Sequence, residues 1–250
     1  MSEVLISVEN VSVTYDGRQV LDSIDAEFRD DEITMVLGAS GSGKTTLIKH
    51  MLGLEPLQQG RIRFFGQEIS SVSQRDFEKL LIRVGMLFQQ GALLNSLSVA
   101  ENIKIPLEQH TDLPDAVIES MVRTKLKLVG LASYGNVVPS QLSGGMRKRA
   151  ALARAIALDP EILFCDEPTS GLDPITAREM DRLLLRLRDQ LSITMIIISH
   201  DVESVRYIAD SVLFLHQGRL AYNGPKSEIE ANDHPELVRF FASGPEDGCR

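Results

Sequence analysis

The chain has 250 residues, 43% hydrophobic and 24% charged, which is enough for a real core and excludes disordered, collagen-like and mucin-like proteins. Lys and Arg number 26 against 35 Asp and Glu, a net charge of −9, so no nucleic-acid partner is expected. Two cysteines, Cys165 and Cys249, cannot build a disulfide framework, and no Cys/His cluster suggests a metal site. The opening MSEVLISVENVSVTYDG lacks the basic and apolar regions of a secretion signal. No apolar run approaches a membrane span, and the most apolar stretch, Ile193 to Ile198, has strand length. The expectation is a reduced, cytoplasmic, soluble chain that reaches a membrane only by docking to another protein.

In chain order, Val4, Ile6 and Val8 alternate, then Val11, Val13 and Tyr15, then Ile24, Ala26 and Phe28, with a turn at Asp16-Gly17. Ile33 to Leu37 reads as a strand buried on both faces, and it runs into GASGSGKTT at 38–46. Leu47 with Met51, and Ile48 with Leu52, give a helical stripe. A β segment around Arg61 to Phe65 and a strand from Val84 to Phe88 follow. Residues from about 98 to 158 read as almost wholly helical. Ser98 and Glu101 form a capping box, Val117, Ile118, Met121, Val122 and Lys125 form a stripe ended by Gly130, and an alanine-rich helix spans Gly145 to Leu158. From Ile162 strands and helices alternate: Ile162 to Cys165, a helix capped by Asp173 with Pro174 in its first turn, Ile193 to Ser199, and Val212 to Leu215. That alternation implies a mostly parallel α/β sheet. Two short helices from Ser227 and a frayed tail at 244–250 are expected.

Gly38, Gly43, Lys44 and Thr45 satisfy G-x-x-x-x-G-K-[ST]. Over Gly38, Ala39, Ser40, Gly41, Ser42, Gly43, Lys44, Thr45 and Thr46, bare backbone N–H groups and a helix N-terminus are set to wrap a polyphosphate. Lys44 is placed to reach the β- and γ-phosphates and the Thr45 hydroxyl to ligate Mg²⁺. Asp166 and Glu167 end the strand at 162–165, where α/β sheets place ligands. Asp166 takes the metal role and Glu167 orients the attacking water, as in-line attack on a γ-phosphate requires. These features describe a P-loop NTPase using ATP and Mg²⁺.

Leu142-Ser143-Gly144-Gly145-Met146, between the loop and the carboxylates, closely resembles the signature of the ATP-binding cassette (ABC) ATPases. The resemblance covers roughly residues 4 to 225. It implies that Gln89 contacts Mg²⁺ and couples to a permease, that Ser143, Gly144 and Gly145 meet ATP held by a partner chain, that Asp173 crosses the dimer interface, that His200 touches the γ-phosphate and that Tyr15 stacks on adenine. It further implies an ABC-type α/β fold with a mostly parallel core sheet, an N-terminal antiparallel β subdomain and a helical insert. The whole is one nucleotide-binding domain, with a core at about 1–90 and 159–225, a helical subdomain at about 91–158 and a C-terminal extension at about 226–250.

Met146 in place of the common Gln, with LSGGMRKRAALARAIALDPEIL, SGLDPITA and GALLNSLSVAENIKIPL, resembles the Mce/Mla-type phospholipid transport ATPases of the Gram-negative envelope. That resemblance implies a homodimeric ATPase subunit on the cytoplasmic face of the inner membrane. Its partners are an integral membrane permease, an Mce-domain lipid-binding protein and a small STAS-domain protein. The alternatives are an ABC ATPase for another cargo, a mechanical ABC ATPase outside transport, which is disfavoured without a tandem cassette or coiled-coil insertion, and a nucleotide sensor, disfavoured by intact Glu167 and His200. Arg147-Lys148-Arg149 reads as a solvated or partner-facing edge, Arg178, Arg182 and Arg186 as a solvent face, Cys165 as core, and Phe240-Phe241 as packing for the last helix.

Overall fold

The computed structural model describes residues 3–242. Cys249 and the tail expected at 244–250 lie outside the described residues. Strands β1 (Val4–Tyr15) and β2 (Arg18–Arg29) form an antiparallel hairpin. It closes at Asp16-Gly17, both left-handed (φ 49° and 76°), the backbone that matches hairpin twist. Asn10 takes φ 48° where the register shifts between Val8 and Val11, and this bulge keeps Val8, Val11 and Val13 buried. Leu5 is buried beside Ile6, at a second register shift that strict alternation does not anticipate.

β3 (Ile33–Leu37) is buried at every position and leads through the glycine loop into α1 (Lys44–Met51), which buries Leu47, Ile48 and Met51. β4 (Gln59–Phe64), β5 (Gln67–Glu68) and α2 (Gln74–Ile82) follow. Next come β6 (Val84–Leu87), α3 (Val99–His110), α4 (Asp115–Leu128) and α5 (Gly144–Ala155). The chain continues through β7 (Ile162–Asp166), α6 (Pro174–Leu191), β8 (Thr194–Ile198), α7 (Val202–Ile208), β9 (Ser211–His216), β10 (Arg219–Pro225) and α8 (Pro235–Ala242).

The chain divides into two compact units, one of Met1–Leu80 with Ile196–Arg250 and one of Leu81–Met195. In the first, an antiparallel sheet has the order β2-β1-β4-β5, and β10, β9, β3 and β8 lie side by side in a second sheet, with β3 and β9 parallel. Phe240 of α8 packs edge-on against Phe214 of β9, ring centroids 5.5 Å apart, so the aromatic pair near the end does fasten the last helix.

In the second unit β6 and β7 are parallel, pairing Leu87 with Cys165. The Ser98 capping box on α3 is present, as is the Asp173 cap on α6. The stretch from 98 to 158 is less helical than expected. α4 ends at a left-handed Gly130 (φ 73°), and turns plus a 3-10 turn at Pro139–Gln141 carry the chain to α5. α5 stops at Ala155 rather than Leu158, because Ala157 N donates to Arg154 O and Asp159 N to Ile156 O, a tightening of the last turn. On α4 the inward face is Ile118, Val122 and Leu126, whereas Val117 is exposed. Lys125 is 4% exposed and is paired with Asp159, which compensates its buried charge.

Candidate functional site

In the first unit, the loop after β3 is shaped by close packing. Gly38 (φ 143°) passes so near β9 that a Cβ there would stand 2.2 Å from the Leu215 carbonyl oxygen. At Gly43 (φ 106°) a Cβ would stand 2.6 Å from Leu21 Cδ2. Only glycine fits either place. Lys44 Nζ folds back over the loop, donating to Gly38 O (2.7 Å) and Ala39 O (3.0 Å). Ala39, Ser40, Gly41 and Thr45 are exposed, Lys44 and Thr46 half-buried, and Ser42 buried. Among the described residues the Ser42 hydroxyl oxygen has no hydrogen-bond partner. No side chain caps the first N–H groups of α1, which begins at Lys44. A backbone with no room for a Cβ at Gly38 or Gly43, an uncapped helix N-terminus and a poised ammonium fit a polyphosphate.

His200 belongs to the same end of the same sheet. Ser199 N donates to Val36 O (3.3 Å) beside the start of the loop, and Ser199 Oγ accepts from Asp201 N (3.0 Å), leaving His200 exposed. Tyr15, 38% exposed at the end of β1, donates its hydroxyl to Glu55, and the buried His50 of α1 lies 3.4 Å from that hydroxyl. The bond to Glu55 pushes the Tyr15 pKa up to about 12, so the ring stays a neutral phenol with an open face.

In the second unit, Asp166 and Glu167 are half-buried at the end of β7, and Gln89 is exposed just beyond the neighbouring β6. Glu167 is left-handed (φ 51°). Its carbonyl accepts from Ser170 N (3.2 Å), Ser170 Oγ (3.0 Å) and Lys148 Nζ (2.7 Å). Lys148 therefore turns inward, contrary to the solvated edge expected of Arg147-Lys148-Arg149, while Arg149 pairs with Glu179 (2.6 Å). Burial lowers the Lys148 pKa, opposed by the carboxylates of Glu167 and Asp166. Arg154, farther along α5, donates to Ala92 O (2.7 Å) and Gly91 O (2.9 Å), bracing the segment after Gln89.

Ser143 and Gly144 are exposed at the start of α5, where Ser143 Oγ accepts from Met146 N (3.3 Å). Gly145 is buried, and a Cβ there would stand 2.6 Å from Thr176 Cγ2. Asp173 caps α6, accepting from Ile175 N and Thr176 N (both 3.1 Å) and from Thr176 Oγ1 (2.6 Å). Each unit thus gathers its own set: the loop, His200 and Tyr15 in one, and Gln89, Asp166, Glu167, Ser143 to Gly145 and Asp173 in the other. Lys148, read from the sequence as part of a solvated or partner-facing edge, and Arg154 and Glu55, which the sequence did not single out, support these sets.

The metal donors expected, the Thr45 hydroxyl, the Gln89 amide oxygen and the Asp166 carboxylate, are all hard oxygens, the chemistry Mg²⁺ selects. Among the described residues no cluster of three or more His, Cys, Asp or Glu could hold a metal by itself. Few protein ligands suit an ion that also takes phosphate oxygens and water. Among the described residues no helix is long and apolar enough to cross a membrane.

Residues 21–170 match the family model described as ABC transporter. A relative in Haemophilus influenzae, the intermembrane phospholipid transport system ATP-binding protein MlaF, is 40% identical over 248 residues, 99% of this chain and 94% of its own. Among solved structures, cbiO1 of Clostridium perfringens, part of the ABC transporter complex cbiONQ, superposes with a TM-score of 0.85 at 31% identity, over 95% of this chain and 94% of that one. An ATP-binding cassette solved as a dimer in a post-hydrolysis state with ADP and Pi superposes with a TM-score of 0.80 at 26% identity, over 88% of this chain and 98% of that one.

Proposed function

This chain belongs to the ABC transporter family, and from that premise we propose that it is the ATP-hydrolysing subunit that powers phospholipid transport across the Gram-negative envelope. The observation that carries the cargo is the 40% identity to the phospholipid-transport relative along nearly the whole of both chains. In this reading two copies associate head to tail on the cytoplasmic face of the inner membrane, docked to an integral permease. An Mce-domain lipid-binding protein and a small STAS-domain protein complete the assembly. Residues 91–158 are the helical subdomain that faces the permease, carried on a core of 1–90 and 159–225, with 226–250 as an extension.

Tyr15 stacks its open face on adenine. The N–H groups of Gly38 to Thr46 bind the phosphates, and Lys44 exchanges its bonds to Gly38 O and Ala39 O for phosphate oxygens, a charge-assisted pairing that is stronger. Thr45, Asp166 and Gln89 would hold Mg²⁺, which would supply charge neutralisation on the phosphates. Glu167 accepts a proton from the water whose oxygen bonds to the γ-phosphorus as the bond to ADP breaks. His200 orients the γ-phosphate. Ser143, Gly144 and Gly145 present a hydroxyl and bare N–H groups to nucleotide on the partner copy, and Asp173 lies beside them at the same interface. Nucleotide between the copies favours the closed dimer, hydrolysis favours the open one, and the permease follows that shift.

The test is to purify the complex through this subunit, reconstitute it in liposomes and follow labelled phospholipid. Transfer that requires ATP and is lost in Glu167→Gln supports the reading. Turnover stimulated by a sugar, peptide or metal, with no lipid movement, overturns the cargo.

A further inference from the structure

The carbonyl of Glu167 accepts three hydrogen bonds, and one of its donors comes from outside its own turn. Ser170 supplies two bonds locally, at 3.2 Å from N and 3.0 Å from Oγ. Lys148 supplies the third from α5, at 2.7 Å, and its ammonium also donates to Ser170 Oγ at 3.0 Å. A lysine on a helix surface ordinarily keeps its ammonium in water. Lys148 gives up part of that hydration to reach a backbone oxygen on a residue in left-handed backbone (φ 51°), a conformation that a long side chain adopts only when its surroundings hold it there. That backbone sets the Cα–Cβ direction from which the Glu167 side chain projects. The donor's own footing is firm, because the start of α5 abuts α6 at Gly145 and Thr176, and Thr176 is in turn bonded to Asp173.

We infer that Lys148 is a positioning residue for Glu167: by donating to its carbonyl, the ammonium holds the left-handed turn that aims the carboxylate at the attacking water. This rests on the reading above, in which Glu167 receives the proton of that water. Without the ammonium the two Ser170 bonds remain, so the turn persists but loosens. Nucleotide binding is left intact, because neither Lys148 nor Glu167 belongs to the phosphate loop. Loss of aim alone is a kinetic defect.

The test compares Lys148→Met, Lys148→Arg, Glu167→Gln and the double variant Lys148→Met/Glu167→Gln, in the full chain purified with its membrane partners. Lys148→Met should lower kcat about ten- to a hundredfold, the scale of a small misplacement of a reacting group, with ATP affinity within about twofold. Lys148→Arg keeps a donor and should restore most of kcat. The double variant should be no slower than Glu167→Gln alone, because the lysine acts through the glutamate. A residue that merely supports the fold would multiply the two losses and lower the melting temperature in step with kcat. Lys148→Met turning over at the unaltered rate while Glu167→Gln is slow, or a multiplied loss in the double variant, overturns the inference and leaves the role of Glu167 standing. Near-normal turnover in Glu167→Gln overturns that role and the inference with it. Should Lys148→Met fail to bind nucleotide, Lys148→Arg decides: restored turnover supports the positioning role, and a slow arginine variant overturns it.

Discussion

The loop at 38–46 and the turn at 166–170 both end a buried strand and both project toward chemistry, yet they keep their shapes by opposite means. The loop depends on what its residues lack. At Gly38 and Gly43 a Cβ would collide with the backbone of β9 and with Leu21, and the left-handed values at both glycines cost nothing only because no side chain is there. The turn depends on what its neighbours supply. Glu167 is left-handed with a full side chain, and three donors on its carbonyl hold it so. In the proposed roles, a phosphate cradle has to be open and is built by subtraction, and a base has to present its carboxylate and has its backbone braced.

The largest effect that separates the two belongs to the turn. Glu167→Gln should cut ATP turnover at least about a hundredfold, the scale of losing a general base, while nucleotide affinity stays within about threefold. Equal losses in both would erase the distinction. Next comes the loop, where Gly38→Ala adds one carbon 2.2 Å from the Leu215 carbonyl oxygen. Nucleotide affinity measured by titration should fall at least about tenfold, because the loop must shift to relieve both the contact and the backbone strain. Lys44→Ala should act on affinity as well, by about ten- to a hundredfold, through lost charge-assisted bonds.

Smaller effects test how far the bracing extends. Asp173→Ala removes the acceptor for Ile175 N and Thr176 N and should lower the denaturant midpoint of unfolding slightly, with ATP affinity unchanged. At the opposite end of β6 and β7, Arg83 makes a bidentate pair with Glu161 at 2.5 and 2.7 Å. The bond from Arg83 lowers the Glu161 pKa below its ordinary value. A carboxylate depressed in the folded state contributes stability above its unfolded pKa and loses it as pH falls through the folded value. Arg83→Ala should therefore cost at most about 1 kcal/mol at pH 7, this being a largely exposed pair, and the difference from the parent should disappear as pH falls through the lowered Glu161 value. A cost independent of pH would assign the effect to packing.

Where function rides on consecutive residues, the sequence was readable. The loop, the Ser98 capping box and the Asp173-Pro174 helix start each lie within a few positions, and each forms as expected. Elements whose identity depends on distant partners were not. β10 is an edge strand with no fully buried residue and a weak alternation, whereas α2 carries Phe77, Leu80 and Leu81 at helical spacing in a stripe too short to stand out, with only Leu80 fully buried. The 129–143 segment carries no α-helix despite lying among helices: Gly130 turns the chain after α4, and only the 3-10 turn at Pro139–Gln141 follows before α5. The inward turn of Lys148 was hidden for the same reason. A basic run on a helix looks solvated until the strand that receives one of its members is in place. The expected roles of Tyr15, Gln89 and His200 came through family resemblance, since a lone tyrosine, glutamine or histidine after a strand has no local signature of its own.

Cys165 sits one residue before Asp166, 1% exposed, and both burial and that carboxylate push its thiol pKa up. Alkylating reagents attack thiolate, so this sulfur is silent while β7 is in place. Its modification rate is then a stopwatch for the opening of the strand that carries Asp166 and leads into Glu167. Run with and without nucleotide, such a measurement gives the breathing of β7 in minutes or hours, read separately from turnover.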